Sequence, residues 1–207
     1  MQTECESNIT EMDGPGTISW DEFLANAESF IIVSDQISDG WQLRGNKEVP
    51  TEAYLVRQKK HIISNEINTE NSSTIENWSE KLCEDPYEAS FRNERPLIIE
   101  HHILWSMSYS VPVLYFNGWK SDFPGINRIS VEEAQGLING SALNYSELSQ
   151  AIHPILGTPY LQLHPCMSHE LLQYTHKSKN KLVSWLSFVA PAALRLDIKQ
   201  EYHKLTL

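Results

Sequence analysis

Hydrophobic positions first organise the chain at residue 19. Trp20, Phe23, Leu24, Ala27, Phe30 and Ile31 recur at three- and four-residue intervals, the pattern of one broad helical face. Ser19 stands in the N-cap position with Glu22 three residues on, the spacing of a capping box, and Asp21 and Glu22 suit the helix dipole. The preceding residues, 1–18, are polar and run through Gly14-Pro15-Gly16, so they read as a disordered leader. After the helix the period changes. Residues 41–44 and 53–57 predict two short strands around a Gly45-Asn46 turn. Residues 65–80, rich in Asn, Ser and Glu, predict a long surface loop. From Ile103 to Val111 the chain alternates, with Ile103, Trp105, Met107, Tyr109 and Val111 on one face and Leu104, Ser106, Ser108 and Ser110, nearly all serine, on the other. Pro112 predicts a strand break, 113–116 a further extended piece, and Asn117-Gly118 a turn.

The last third carries shorter signals. Ser130 and Glu133 form a second capping box over a helix at 130–138. Leu161-Gln162-Leu163 reads as extended and leads into His164-Pro165-Cys166, after which a helix of about ten residues is expected. Residues 182–188 read as a final strand. Strands joined by turns, without alternating helices, predict an antiparallel meander with a helix packed on it: an α+β fold.

Composition narrows the function. In 207 residues, 41% hydrophobic and 21% charged positions make an ordinary globular mixture. The net charge of −11 argues against nucleic acid or an anionic membrane as the main partner. Nine acids and no Lys or Arg fall within residues 1–43, and six bases against two acids from Lys177 onward. These read as solvated surfaces or as poles that orient protein partners. The apolar stretch 182–194 is interrupted by Ser184, Ser187 and Pro191 and is too short to span a bilayer, so no integral membrane segment is expected. Without a secretory signal at the N-terminus, the expected compartment is the reducing cytoplasm.

Three cysteines, at 5, 83 and 166, are too few and too scattered for a disulfide framework. Cys166 has the distinctive setting: Pro165 restrains the backbone ahead of it and a helix is predicted behind it, where amides and dipole favour a thiolate. Three chemistries fit its surroundings. A zinc site would draw on His153, His164, Cys166 and His169, although the i, i+2 spacing of His164 and Cys166 is a poor chelating pair. A cysteine hydrolase would need a remote base that nothing singles out. An acyl carrier needs only an exposed thiol on a rigid platform.

The string Leu161-Gln162-Leu163-His164-Pro165-Cys166 resembles the active-site segment of the autophagy ubiquitin-like conjugating enzymes. Residues 109–116, Tyr-Ser-Val-Pro-Val-Leu-Tyr-Phe, and 182–187, Leu-Val-Ser-Trp-Leu-Ser, followed by Val189-Ala190-Pro191, resemble the same family in matching order. The resemblance covers roughly residues 19–196. It is closer to the branch that works on protein acceptors, since the chain is too short for the long acidic insertion and amphipathic helix of the lipid branch.

The resemblance implies a ubiquitin-conjugating-enzyme-like fold in a single catalytic domain over 19–207. It implies that Cys166 accepts the modifier, autophagy-related protein 12, as a thioester from the activating enzyme, autophagy-related protein 7. The modifier would then pass to a lysine of autophagy-related protein 5, with no metal or other cofactor. Ordinary ubiquitin-conjugating enzymes carry a His-Pro-Asn motif ahead of the cysteine, whose Asn steadies the oxyanion. Here His164-Pro165 adjoins Cys166 directly, and Asn117, Tyr115 or backbone amides are the candidate replacements. His169 and Glu170 are candidates to assist lysine deprotonation. A non-catalytic interaction module of the same fold and a hydrolase acting on such modifiers are the alternatives.

Overall fold

A computed structural model describes residues 16–64, 94–138 and 148–207. Helix α1 spans Trp20–Gln36, and the strands are β1 (Gln42–Gly45), β2 (Ala53–Ser64), β3 (Glu94–Ser106), β4 (Val111–Trp119), β5 (Leu148–Ile152) and β6 (Pro159–Leu163). Helix α2 (Val131–Leu137) precedes β5, while α3 (Ser168–Tyr174) and α4 (Lys181–Val189) follow β6. The strands form one antiparallel sheet in the order β1-β2-β3-β4-β6-β5. The first four are the expected meander. The last hairpin then enters with its second strand, so β6 lies inside and β5 takes the edge. An α+β architecture of the ubiquitin-conjugating type results.

Ser19 caps α1 by accepting the Glu22 amide at 3.1 Å, as its position predicts. The Glu22 carboxylate, however, pairs with Lys181 Nζ at 2.8 Å and ties α1 to α4. The predicted box at Ser130 and Glu133 closes in both directions. Phe23, Ala27 and Phe30 are fully buried. Trp20 meets Trp105 of β3 at 5.8 Å between ring centroids, and Phe30 stacks on Tyr202 at 4.3 Å, so the helix is clamped between sheet and C-terminal segment.

Several elements depart from the sequence expectation. Residues 182–188 belong to helix α4, not to a strand. Asn180 accepts the Val183 amide at 2.9 Å as N-cap, and its Nδ2 donates to Asn26 O of α1 at 2.9 Å. Leu182, Val183, Trp185, Leu186 and Val189 are all buried. The alternation at 103–111 is not one strand either: β3 ends at Ser106, and Ser110, at φ +51°, donates its amide to Ser106 O at 2.7 Å to close a hairpin turn. Met107 and Tyr109 therefore project outward. Pro112 is the second residue of β4 and makes no break, because β6 pairs with β4 only from Tyr115.

Asn117-Gly118 is not a turn but strand, paired with Glu100 and Ile99. Glycine at 118 makes room for Ile129, since a Cβ there would stand 2.6 Å from Ile129 Cδ1 and force that side chain to shift. Of the expected leader, residues 1–15 lie outside the described residues. Ile18, at its end, is buried, and its backbone bonds Ser110 O and Trp105 Nε1, each at 2.9 Å. The loop expected at 65–80 also lies outside them, as do Cys5 and Cys83.

Candidate functional site

The segment carrying Cys166 leaves the sheet at the end of β6. Leu161 and Leu163 are buried, which seats the strand beside β4. His164 then emerges exposed, Pro165 turns back into the protein, and Pro165–Met167 form one 3-10 turn. Seven-residue α3 follows, anchored by buried Leu171 and Leu172. Cys166 thus lies in a short turn ahead of a short helix, and the local constraint on it is proline and packing more than a long helix dipole.

Ser168 ties this segment down. Its hydroxyl is buried, accepts from Trp185 Nε1 of α4 at 2.9 Å and donates to Pro112 O of β4 at 3.4 Å. A cavity of about 10 Å³ lies beneath, lined by Leu163, Met167, Leu171, Trp185 and Val189 among others. That is room for one water at most, so any larger substrate reaches the turn from outside.

The candidates around Cys166 are not equally near it. Asn117 donates Nδ2 to Pro159 O at 3.3 Å, at the first residue of β6. His164 lies beyond the far end of that strand, about 16 Å along extended chain. The structure therefore does not bring Asn117 to Cys166. Tyr115 faces away among buried aromatic groups, its ring 5.4 Å from that of His153, and burial raises the pKa of its phenol. His169 and Glu170 are exposed on the first turn of α3, and Gly16 packs closely against the His169 ring.

Both ring nitrogens of His153 are engaged by other groups. Its Nδ1 accepts the amides of Ile155 and Leu156 at 3.2 and 3.1 Å, and its Nε2 lies 2.9 Å from His102 Nδ1. With amides on Nδ1, the proton of neutral His153 resides on Nε2 and is donated to His102. His102 Nε2 then stands 3.1 Å from Glu100 Oε1, too far off line for a good hydrogen bond, while Tyr160 OH donates to the same oxygen at 2.7 Å. Burial opposes ionisation of Glu100, but its contacts with His102 and Tyr160 prevail and lower its pKa. Sequence reasoning missed this cluster, since its members are scattered along the chain. Glu100 and His102 at i, i+2 on a strand were the available signal. Among the described residues no group of three His, Cys, Asp or Glu side chains converges as a metal site.

Buried histidines, His153 in this cluster and His101 against the Leu194 carbonyl at 2.8 Å, make stability pH-dependent. Burial, then His102, depress His153 to about 4, and burial, followed by Arg57, depresses His101 to about 3. Histidines with depressed folded-state pKa bind protons more readily when unfolded. Their contribution is complete above an unfolded value near 6.5 and is lost as pH falls toward 4. Each ring removes up to about 1.4 kcal/mol per pH unit in that window. Urea midpoints should therefore drop clearly between pH 7 and pH 5; equal midpoints would contradict the neutral-histidine assignment.

Comparison with known proteins locates the chain. The family described as "Autophagocytosis associated protein, active-site domain" matches residues 22–199. The ubiquitin-like-conjugating enzyme ATG10 of Homo sapiens is 27% identical over 214 residues, covering 90% of this chain and 95% of that protein. The ATG10 of Dictyostelium discoideum is 34% identical over 116 residues, 46% of this chain and 50% of its own length. That of Arabidopsis thaliana is 30% identical over 114 residues, 48% and 51% respectively.

Proposed function

The chain belongs to the family of the autophagocytosis-associated active-site domain, and from that premise we propose that it is a ubiquitin-like-conjugating enzyme of autophagy with Cys166 as its nucleophile. The observation that carries the reading is the position of Cys166, in a proline-started turn between β6 and α3, within the span that matches the family. The 10 Å³ cavity beneath is consistent with it, because a protein-borne carbonyl approaches from outside and needs no deep pocket.

In this scheme the Cys166 thiolate attacks the C-terminal glycine carbonyl of the modifier, held as a thioester by the activating enzyme. A new C–S bond forms, the old one breaks, and the departing thiolate takes up a proton. An acceptor lysine amine then attacks the same carbon, forming an isopeptide bond and releasing Cys166. Its surplus proton passes to solvent or to a nearby base, for which exposed His164 and His169 are candidates. With Asn117 held at Pro159, the donors adjoining the developing oxyanion are the backbone amides of the turn. Autophagy-related protein 12 as modifier, autophagy-related protein 7 as activating enzyme and autophagy-related protein 5 as acceptor complete the proposal. Residues 19–207 act as one catalytic unit in the cytoplasm. Among the described residues no helix is long and apolar enough to cross a membrane.

Incubating the chain with activating enzyme, modifier and ATP tests this. An adduct of modifier mass should form, disappear with thiol reductant, and be absent from Cys166→Ala. An interaction module would give no adduct, and a hydrolase would instead cleave a preformed conjugate.

A further inference from the structure

Resting on the assignment of Cys166 as nucleophile, we propose that Ser168 is a positioning residue for the reaction, orienting the Cys166 turn through Trp185 of α4 and the Pro112 carbonyl of β4. A serine at a helix start ordinarily caps the helix or faces water. Ser168 does neither. Helix α3 begins without a side-chain cap, with Met167 at the N-cap position, and Ser168 is 4% exposed. Its hydroxyl points across the protein, receiving the indole N–H at 2.9 Å and facing Pro112 O at 3.4 Å.

The arrangement is mutually enforced. Trp185 is 1% exposed, and an indole has one polar hydrogen to place. Burying either group without its partner is unfavourable, so the bond selects one placement of the α3 start relative to α4 and β4. The segment needs that selection. A helix of seven residues does not hold its own geometry, and a one-turn 3-10 segment holds less. The small cavity under the turn, lined by Leu163, Met167 and Trp185 among others, shows that packing below it is not complete, so the hydroxyl tie carries part of the placement. Ser168 is two residues from Cys166, so a tilt there moves the sulfur. Misplacement of a reacting atom by about 1 Å can cost about 100-fold in rate.

The test uses full-length protein in a Cys5→Ser, Cys83→Ser background, adding Ser168→Ala, Trp185→Phe or both. Single-turnover loading from modifier-charged activating enzyme and discharge to the acceptor are measured, with rates referred to the folded fraction from urea melts. The pH profile of Cys166 alkylation by iodoacetamide reports the thiol without any conjugation partner. The expected result is a loss of about 10–100-fold in both rate constants for either single variant. The KM for charged activating enzyme should change less than about twofold, the alkylation profile should be altered, and the double variant should be no worse than the singles. Lower stability with unchanged rates and alkylation would make Ser168 merely structural and overturn the proposal. So would rates within about twofold of the background in folded Ser168→Ala. Cys166→Ala in the same background separates the two ideas: if it still loads, the nucleophile assignment itself fails, whereas silent Ser168 variants beside an inactive Cys166→Ala refute only the positioning role.

Discussion

Cys166→Ser is expected to form an adduct that survives thiol reductant, because the acyl group then sits on oxygen. Transfer to the acceptor should fall by about 10³–10⁶-fold, the range for replacing a covalent nucleophile. Two effects combine. The serine hydroxyl is far weaker as a nucleophile at neutral pH, and the oxyester it forms is less reactive than a thioester. Cys5→Ser and Cys83→Ser should load normally. Gel mobility of the charged enzyme with and without reductant reads the bond type, and single-turnover discharge reads the rate. A reductant-labile adduct on Cys166→Ser would place the acyl group on another cysteine and reject the assignment.

The largest stability effect is expected at Asp39. Its carboxylate lies 3.0 Å from Arg57 Nη1, 3.2 Å from Lys199 Nζ and 3.0 Å from the Tyr202 hydroxyl, with the Asp39 and Arg57 side chains only 1% and 2% exposed. The Arg57 guanidinium also sits over the Trp41 ring at 4.8 Å. Asp39→Ala leaves that guanidinium buried and uncompensated, for a loss of about 3–5 kcal/mol. This is a large share of the roughly 5–15 kcal/mol that holds a typical domain. Asp39→Ala combined with Arg57→Met should be less destabilised than Asp39→Ala alone, since no charge is then stranded. Urea melts check both; a loss below about 1 kcal/mol for Asp39→Ala would mean that water reaches the cluster.

Asp39 also shows the limit of charge counting. In the sequence it is one of nine acids in a stretch without bases, and reads as surface. The fold instead turns it inward, onto an arginine 18 residues away and a tyrosine 163 residues away. The site divides similarly. The turn bearing Cys166 was legible, because proline and the neighbouring apolar residues constrain it locally. The place of Asn117 was not legible, since its distance from Cys166 depends on how β4 and β6 register. Ser168 and Trp185 gave no local signal: a serine near a helix start and a tryptophan in an apolar run are both unremarkable until α3 and α4 meet.

By itself the sequence determined the features set within a few residues: the capped start of α1 and its apolar face, the Ser130 capping box, the extended piece before His164 and the presence of a helix after Cys166, though at seven residues it is shorter than the roughly ten expected. Each follows from backbone groups finding partners three or four positions away, or from a side-chain period that exposes one face. Tertiary structure alone decided the elements whose local signals were ambiguous. Residues 182–188 are apolar enough for a buried strand or a buried helix, and the Asn180 link to α1 with burial on several sides selects the helix. Asn117-Gly118 suits a tight turn, but pairing with Glu100 and Ile99 of β3 keeps it in β4, with Ile129 packed over the glycine. The serine alternation suits a strand, yet the chain reverses at Met107–Ser110, where Ile18 packs its backbone against Ser110. In each case a contact made by a distant segment outweighs a local preference worth about 1 kcal/mol or less.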